Sequence, residues 1–302
     1  MRALAPALVA AALLLCSCGL GPGAGTSNVN VTVTRAFGAD HVGSVTRSKV
    51  PGSETVMRML ERSFRVGTRY GGGFVEAIDG VSGDSSRHDW FYYVNGIEAS
   101  KGAAATAVHR GDRIWWDLHD WSVTNDVPPV VGSFPEPFQH GAGGRRLPTT
   151  LECTSDSTRA CQTVSKQLRA EGVPVASQGL GTGSGQDSLD VIVGPWSELR
   201  GVIAARLIAR GPASSGVYAR FAGGALQLLD PRGRVVRTLS AGAGLIAATA
   251  DQSSEPTWLV TGTDATGVSA AAAALTPARL RDHFALAVQG ATDVPVPVDG
   301  AS

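Results

Sequence analysis

Trp90-Phe91-Tyr92-Tyr93-Val94 runs directly into Asn95-Gly96, and few backbones accommodate that order. Aromatic and β-branched side chains fit the pleated surface of a strand, and Asn-Gly supplies the two positive-φ positions of a tight hairpin turn. The segment is therefore expected to be a strand ending in a hairpin. Side chains alternate along a strand, so Phe91 and Tyr93 point to one face and Trp90 and Tyr92 to the other. The apolar stretch 114–118 splits Trp115 from Trp116 in the same way. Seven of the 18 aromatic residues fall within positions 90–121, and only one of the two faces can fill a domain core. The other is either an exposed binding face, rimmed by His88, Asp117, His119 and Asp120, or a face covered by a second domain or by residues 128–140. The candidate ligand-binding residues are Trp90, Tyr92, Trp115, Trp116, His119 and Trp121.

The flanking sequence extends this sheet. Val29, Val31 and Val33 alternate as in a half-buried strand, and further strands are expected at 74–78 and 114–118. Pro51-Gly52-Ser53-Glu54 opens a helical repeat of Val56, Met59, Leu60 and Phe64, with Ser53 as the expected N-cap. Strands, one helix, then strands across residues 29–125 is a β-grasp-like order. Trp90-Phe91-Tyr92-Tyr93-Val94-Asn95-Gly96, with Val108 and Gly111-Asp112-Arg113-Ile114-Trp115-Trp116, resembles the transcobalamin C-terminal-like domain of bacterial secreted and cell-surface proteins. The resemblance implies a β-grasp-like lid. In the animal namesakes that lid closes on a corrinoid held by a separate helical barrel, for which this sequence has no counterpart.

Residues 126–145, with Pro128, Pro129, Pro135 and Pro137 ahead of Gly141-Ala142-Gly143-Gly144, read as a linker. Residues 146–290 alternate expected helices (160–170, 199–209, 265–275) with expected strands (189–193, 218–221, 226–229, 235–239, 257–261, 284–288), which predicts an α/β domain around a central sheet. Asp230-Pro231-Arg232-Gly233 has the residues of a turn, Thr263 or Asp264 those of a helix cap, and 291–302 is expected to be a disordered tail. The class is α+β, a β-grasp-like domain followed by an α/β domain.

Residues 1–18 give the compartment. Arg2, an apolar run and Leu15-Cys16-Ser17-Cys18 resemble a bacterial lipoprotein signal and lipobox, which implies a palmitate-type lipid on Cys18 and an extracytoplasmic protein anchored to the cell membrane. Residues 19–28 then form a flexible tether. Cys153 and Cys161 are expected to form a disulfide in that oxidising setting. With 26 basic against 26 acidic residues and no basic block, nucleic acid is not an expected partner.

Catalytic signals are weak. Residues 80–85 lack a nucleophile elbow, and 179–185 lack the Gly-Lys-Ser/Thr of a phosphate loop. His88, His109 and His119, with Asp89, Asp112 and Asp120, have no metal-ligand spacing and read as surface polar groups, Asp112 as a cap of backbone amides. No enzyme, cofactor or metal is expected. The expected function is binding of a small molecule, corrinoid-like by resemblance, for a membrane transporter subunit. The alternative is a protein-interaction module of the cell envelope.

Overall fold

The computed structural model describes residues 25–84, 86–182, 187–251 and 255–298. The leader, including Cys16 and Cys18, lies outside the described residues. Among them no helix is long and apolar enough to cross a membrane. The molecule is α+β and dominated by sheets.

The first half comprises β1 (Val29–Arg35), β2 (Asp40–Arg47), α1 (Val56–Glu61), β3 (Val66–Arg69), β4 (Phe74–Ile78), β5 (Val81–Ser82), β6 (His88–Val94), β7 (Ile97–Glu98) and β8 (Arg113–Asp120). Its main sheet has the order β2-β1-β8-β6-β7, with β1 and β8 parallel at the centre and the other pairs antiparallel. The β6–β7 turn is the expected one, with Asn95 and Gly96 both at positive φ. Thr55 rather than Ser53 caps α1, its Oγ1 accepting from the Arg58 N–H at 3.3 Å. One face of the sheet (Val31, Val33, Trp90, Tyr92, Ile114, Trp116) buries itself against Val56, Met59 and Leu60 of α1 and Val75 and Ile78 of β4.

The second half comprises β9 (Thr149–Cys153), α2 (Thr158–Ala170), β10 (Val175–Gly179), β11 (Leu189–Pro195), α3 (Trp196–Leu199), α4 (Ile203–Ala209), α5 (Pro212–Ser215), β12 (Ala219–Ala222), β13 (Ala225–Leu229), β14 (Val235–Leu239), β15 (Ala243–Thr249), β16 (Thr257–Gly262), α6 (Ala265–Ala274), α7 (Pro277–Leu280), β17 (Ala285–Gln289) and β18 (Thr292–Val296). A seven-stranded sheet runs β10-β9-β11-β16-β15-β17-β18, parallel up to β16 and antiparallel beyond. The near-continuous apolar run of β11 fits a strand buried on both faces. Helices α2 and α6 cover one face, while α4 and the β12–β14 sheet cover the other. Helix α6 lies so close to the sheet that a Cβ on Gly267 would stand 2.1 Å from the Ala243 carbonyl oxygen, which is why glycine stands at that point of an alanine-rich helix.

Three expectations change. The helix expected over 199–209 is broken at 200–202 into α3 and α4. The 126–145 stretch is packed rather than open: Val127 and Val130 lie in the core between the halves, and Phe134 and Phe138 pack on Trp258. Of the expected tail, Thr292–Val296 forms the edge strand β18 with Val294 and Val296 buried.

Cys153 and Cys161 are disulfide-bonded, tying the end of β9 to α2 across a separation of 8 residues. A loop that short removes about 2.6 kcal/mol of unfolded-chain entropy. Reduction should therefore lower the unfolding free energy in urea by about 2–3 kcal/mol, and an unchanged midpoint after verified reduction would show that the bridge adds nothing.

Candidate functional site

The second face of the five-stranded sheet carries Phe91 and Tyr93 from β6 and Trp115, Asp117 and His119 from β8, placed side by side by the antiparallel register Phe91↔Asp117 and Tyr93↔Trp115. It faces the second half. Phe284, just before β17, makes edge contacts with Phe37, Tyr93, Trp115 and His119 at centroid distances of 5.1–5.7 Å. Tyr218, Val127 and Val130 complete this seam.

Polar atoms within the seam form a chain. Trp115 Nε1 donates to Thr34 Oγ1 at 2.7 Å, and that hydroxyl donates to Asp117 Oδ2 at 2.5 Å. Asp117 also accepts from the Phe37 and Gly38 backbone N–H groups at 3.1 and 2.9 Å, and from His119 Nδ1 at 2.9 Å. The carboxylate thereby fixes Nδ1 as the donor of the imidazole. The ring lies between Phe91 and Phe37, at centroid distances of 4.4 and 4.6 Å. With Nδ1 as the donor, the other nitrogen, Nε2, is left as the acceptor of the ring, and His119 is 1% exposed.

His119 lines a cleft of about 610 Å³ between the halves. From the first half come Arg35, Phe37, Asp40, Arg87, His88, Leu118 and Asp120, and from the second the 230–234 turn. Arg35 pairs with Asp40 at 2.9 Å, Arg87 with Asp120, and Arg234 with Asp230 at 2.6 Å. Burial works against the charge of Asp120, but hydrogen bonds from Arg87 and Ser122 outweigh it and hold the carboxyl below its ordinary value. Asp230 follows the same pattern through the Arg234 backbone and guanidinium. Arg232 is exposed on the wall and has no carboxylate partner among the described residues.

Two other hollows differ in chemistry. One of about 870 Å³ lies on the same sheet face and is mainly polar, lined by Asn30, Thr32, Ser44, Arg113 and His140, with His140 Nδ1 2.6 Å from the buried Glu136. A groove of about 620 Å³ runs past the disulfide along α2.

The six candidate ligand residues do not form one exposed face. Trp90, Tyr92 and Trp116 are buried in the first-half core, where Tyr92 stacks on Trp116 at 4.8 Å and its hydroxyl bonds Thr106 Oγ1 at 2.8 Å. Trp115 and His119 are buried in the seam, and Trp121 is half-buried with its indole N–H unpartnered. The physical reason is that both faces of the sheet found an apolar cover. His119 alone of the six lines the 610 Å³ cleft. His119, Asp112 and Asp120 are also buried, at 1%, 1% and 5% exposure, instead of lying on the surface.

Asp112 does cap backbone, accepting from the His109 N–H at 2.6 Å. Asp264 accepts from Gly267 N–H at 2.9 Å as an ordinary helix cap. No group of three or more His, Cys, Asp and Glu residues suited to a metal occurs among the described residues. Ser85 and residues 183–186, within the two loops considered for catalysis, lie outside the described residues. The arginines of the cleft were not anticipated: they come from the end of β1, the residue before β6 and the 230–234 turn. The alternation Trp115, Asp117, His119 was the one available signal.

A family described as Domain of unknown function (DUF4430) matches residues 53–120, from the turn before α1 to the end of β8. No curated protein matches the sequence. Among solved structures, a protein of Ruminococcus gnavus ATCC 29149, assigned provisionally as metal binding, aligns at 19% identity and TM-score 0.25 over 31% of this chain and 97% of its own. Haptocorrin, solved in complex with Cbi, aligns at 17% identity and TM-score 0.27 over 32% of this chain, which spans only 25% of that one.

Proposed function

We propose that this protein is a non-enzymatic, extracytoplasmic lipoprotein, held at the membrane by lipid on Cys18, that binds a small molecule between its two halves for a membrane transporter subunit. The observation that carries the binding role is the cleft. It sits where two chain segments far apart in sequence meet, and the largely buried imidazole of His119 is part of its lining. Clefts at domain borders with a few convergent polar groups are the usual place for small ligands. The lipobox-like run ending at Cys18 supports the anchor.

A thermal-shift screen of the purified protein, with a corrinoid included because of the sequence resemblance, tests the binding role. A saturable stabiliser is expected, and its absence across organic acids, sugars, amino acids and corrinoids would remove the reading. Cys18→Ala should abolish fatty-acid labelling, and labelling at the wild-type level would remove the anchor.

A second reading, the envelope interaction module, draws on the β3–β4 hairpin tip, where Tyr70 is 87% exposed beside Phe74. Single exposed aromatics are common on soluble proteins, so the cleft carries the stronger argument.

A further inference from the structure

We infer that the polar hollow of about 870 Å³ is a second ligand site, separate from the cleft, taking a polyhydroxylated anion of the sugar acid or sugar phosphate kind. The sheet register builds its floor. Pairing of β2, β1 and β8 sets Thr46, Asn30 and Arg113 in one row across three strands, and Ser44, Thr32 and Trp115 in the next. Strand alternation turns Val29, Val31 and Ile114 into the first-half core and leaves these rows on the other face. Around His119 that face is covered by Phe37, Phe284 and Tyr218, whereas here it stays mainly polar, walled by residues of the 132–140 stretch and by Arg281 and Asp282.

Arg113 is the anchor. It is half-buried, and its Nη1 donates to the Ser133 and Phe134 carbonyls at 3.3 and 3.0 Å, so the guanidinium is held in place. Its Nε and Nη2 have no protein acceptor among the described residues, and neither is shut away from solvent. That edge of a guanidinium carries two parallel N–H groups, which match two oxygens of a carboxylate or a phosphate. Arg110 and Arg281 also line the hollow, and among the described residues none of the three arginines is paired with a carboxylate. Two carboxylates stand against them. Glu136 is taken up by the backbone N–H and Nδ1 of His140, at 2.9 and 2.6 Å, and burial pushes the Asp282 carboxyl up, opposed in part by His41 and Arg281. Positive charge is therefore in excess. Beside it lie the Asn30 amide and the hydroxyls of Thr32, Ser44 and Thr46, groups that both donate and accept, as the hydroxyls of a ligand require.

The test is calorimetric titration of the full-length protein, in detergent, with glucuronate, glucose 6-phosphate, glucose and inorganic phosphate. At least one of the two hydroxylated anions should bind saturably. Glucose, which lacks the charge, and phosphate, which lacks the hydroxylated body, should each bind about tenfold more weakly or not at all. The stronger of glucuronate and glucose 6-phosphate shows whether the site prefers a carboxylate or a phosphate. Ser44→Glu places a carboxylate at an exposed position of the edge strand β2, so the melting temperature should hold while the better anion weakens about tenfold. Arg113→Lys keeps the charge but removes the paired N–H groups, and should weaken it by a similar factor.

No saturable binding of either hydroxylated anion would overturn the inference. So would glucose or phosphate binding as tightly as the better of the two, or anion binding that either variant, melting like the wild type, leaves intact. Ser44→Glu keeps the test decisive if Arg113→Lys fails to fold. An anion that still binds Ser44→Glu is seated elsewhere, so each of these results leaves the cleft reading to the wider ligand screen.

Discussion

Phe284→Ala should lower the unfolding free energy of the whole chain by about 3–5 kcal/mol, the usual cost of deleting a buried phenyl ring. The ring is 4% exposed and meets four aromatic rings of the first half. Edge contacts of this kind add about 0.5–1.5 kcal/mol per pair beyond area burial, and a methyl group leaves a cavity that neither sheet can collapse to fill. The seam joins the cores of both halves, so the wild type should unfold in a single transition by urea, with tryptophan fluorescence and far-UV dichroism coincident. Two separated wild-type transitions, or a loss below about 1 kcal/mol in the variant, would mean that the halves are only loosely apposed.

The seam also shows which parts of the fold could be read in the sequence. β6 and β8 were legible because aromatic side chains in alternation, closed by Asn95-Gly96, leave little choice of backbone. Three of the strands not anticipated share the opposite character. β2 is an edge strand whose side chains are mostly half-buried or exposed, so it shows no clear apolar alternation. β15 is buried along its whole length, but four of its seven residues, Ala243, Gly244, Ala247 and Ala248, are of types with low strand preference. β18 contains Pro295, which an edge strand tolerates and which reads in sequence as a break. In each case pairing in the sheet overrides local preference.

For the site, period-2 alternation placed Trp115 and His119 on one face and Trp116 on the other. It could not decide what covers the outer face, because the cover comes from Phe284, Tyr218 and Val127 in other parts of the chain. The Asp117–His119 pair was within reach of the same alternation. Its partners were not, since Arg232 and Arg234 lie over a hundred residues further on in a segment whose local signal is only that of a turn. Cleft chemistry made by strand ends of one half and a distant turn of the other is a tertiary property, and the sequence marks only its separate pieces.

Glu98→Gln should stabilise the protein by about 3 kcal/mol at pH 8 and leave it nearly unchanged at pH 4. Glu98 ends β7 at the edge of the seam, and its carboxylate accepts the Val127 N–H. Burial pushes the carboxyl up from 4.5 to about 7, only partly opposed by that hydrogen bond, and the nearby charge of Asp126 adds to the rise. The folded state therefore holds this proton more tightly than the unfolded chain. The associated stability is fully present below pH 4.5 and is lost as pH rises to about 7, then stays constant.

Glutamine keeps an acceptor for Val127 and removes the charge, so the variant escapes the loss. Asp112 and Asp282, both raised by burial, tilt the wild-type profile in the same direction, while His283, lowered by burial, tilts it the other way. The informative quantity is thus the wild-type minus variant difference in urea-unfolding free energy, measured from pH 4 to 8. That difference should open between pH 4.5 and 7 and then level off, and a difference independent of pH would show that the Glu98 carboxyl titrates normally in the folded protein.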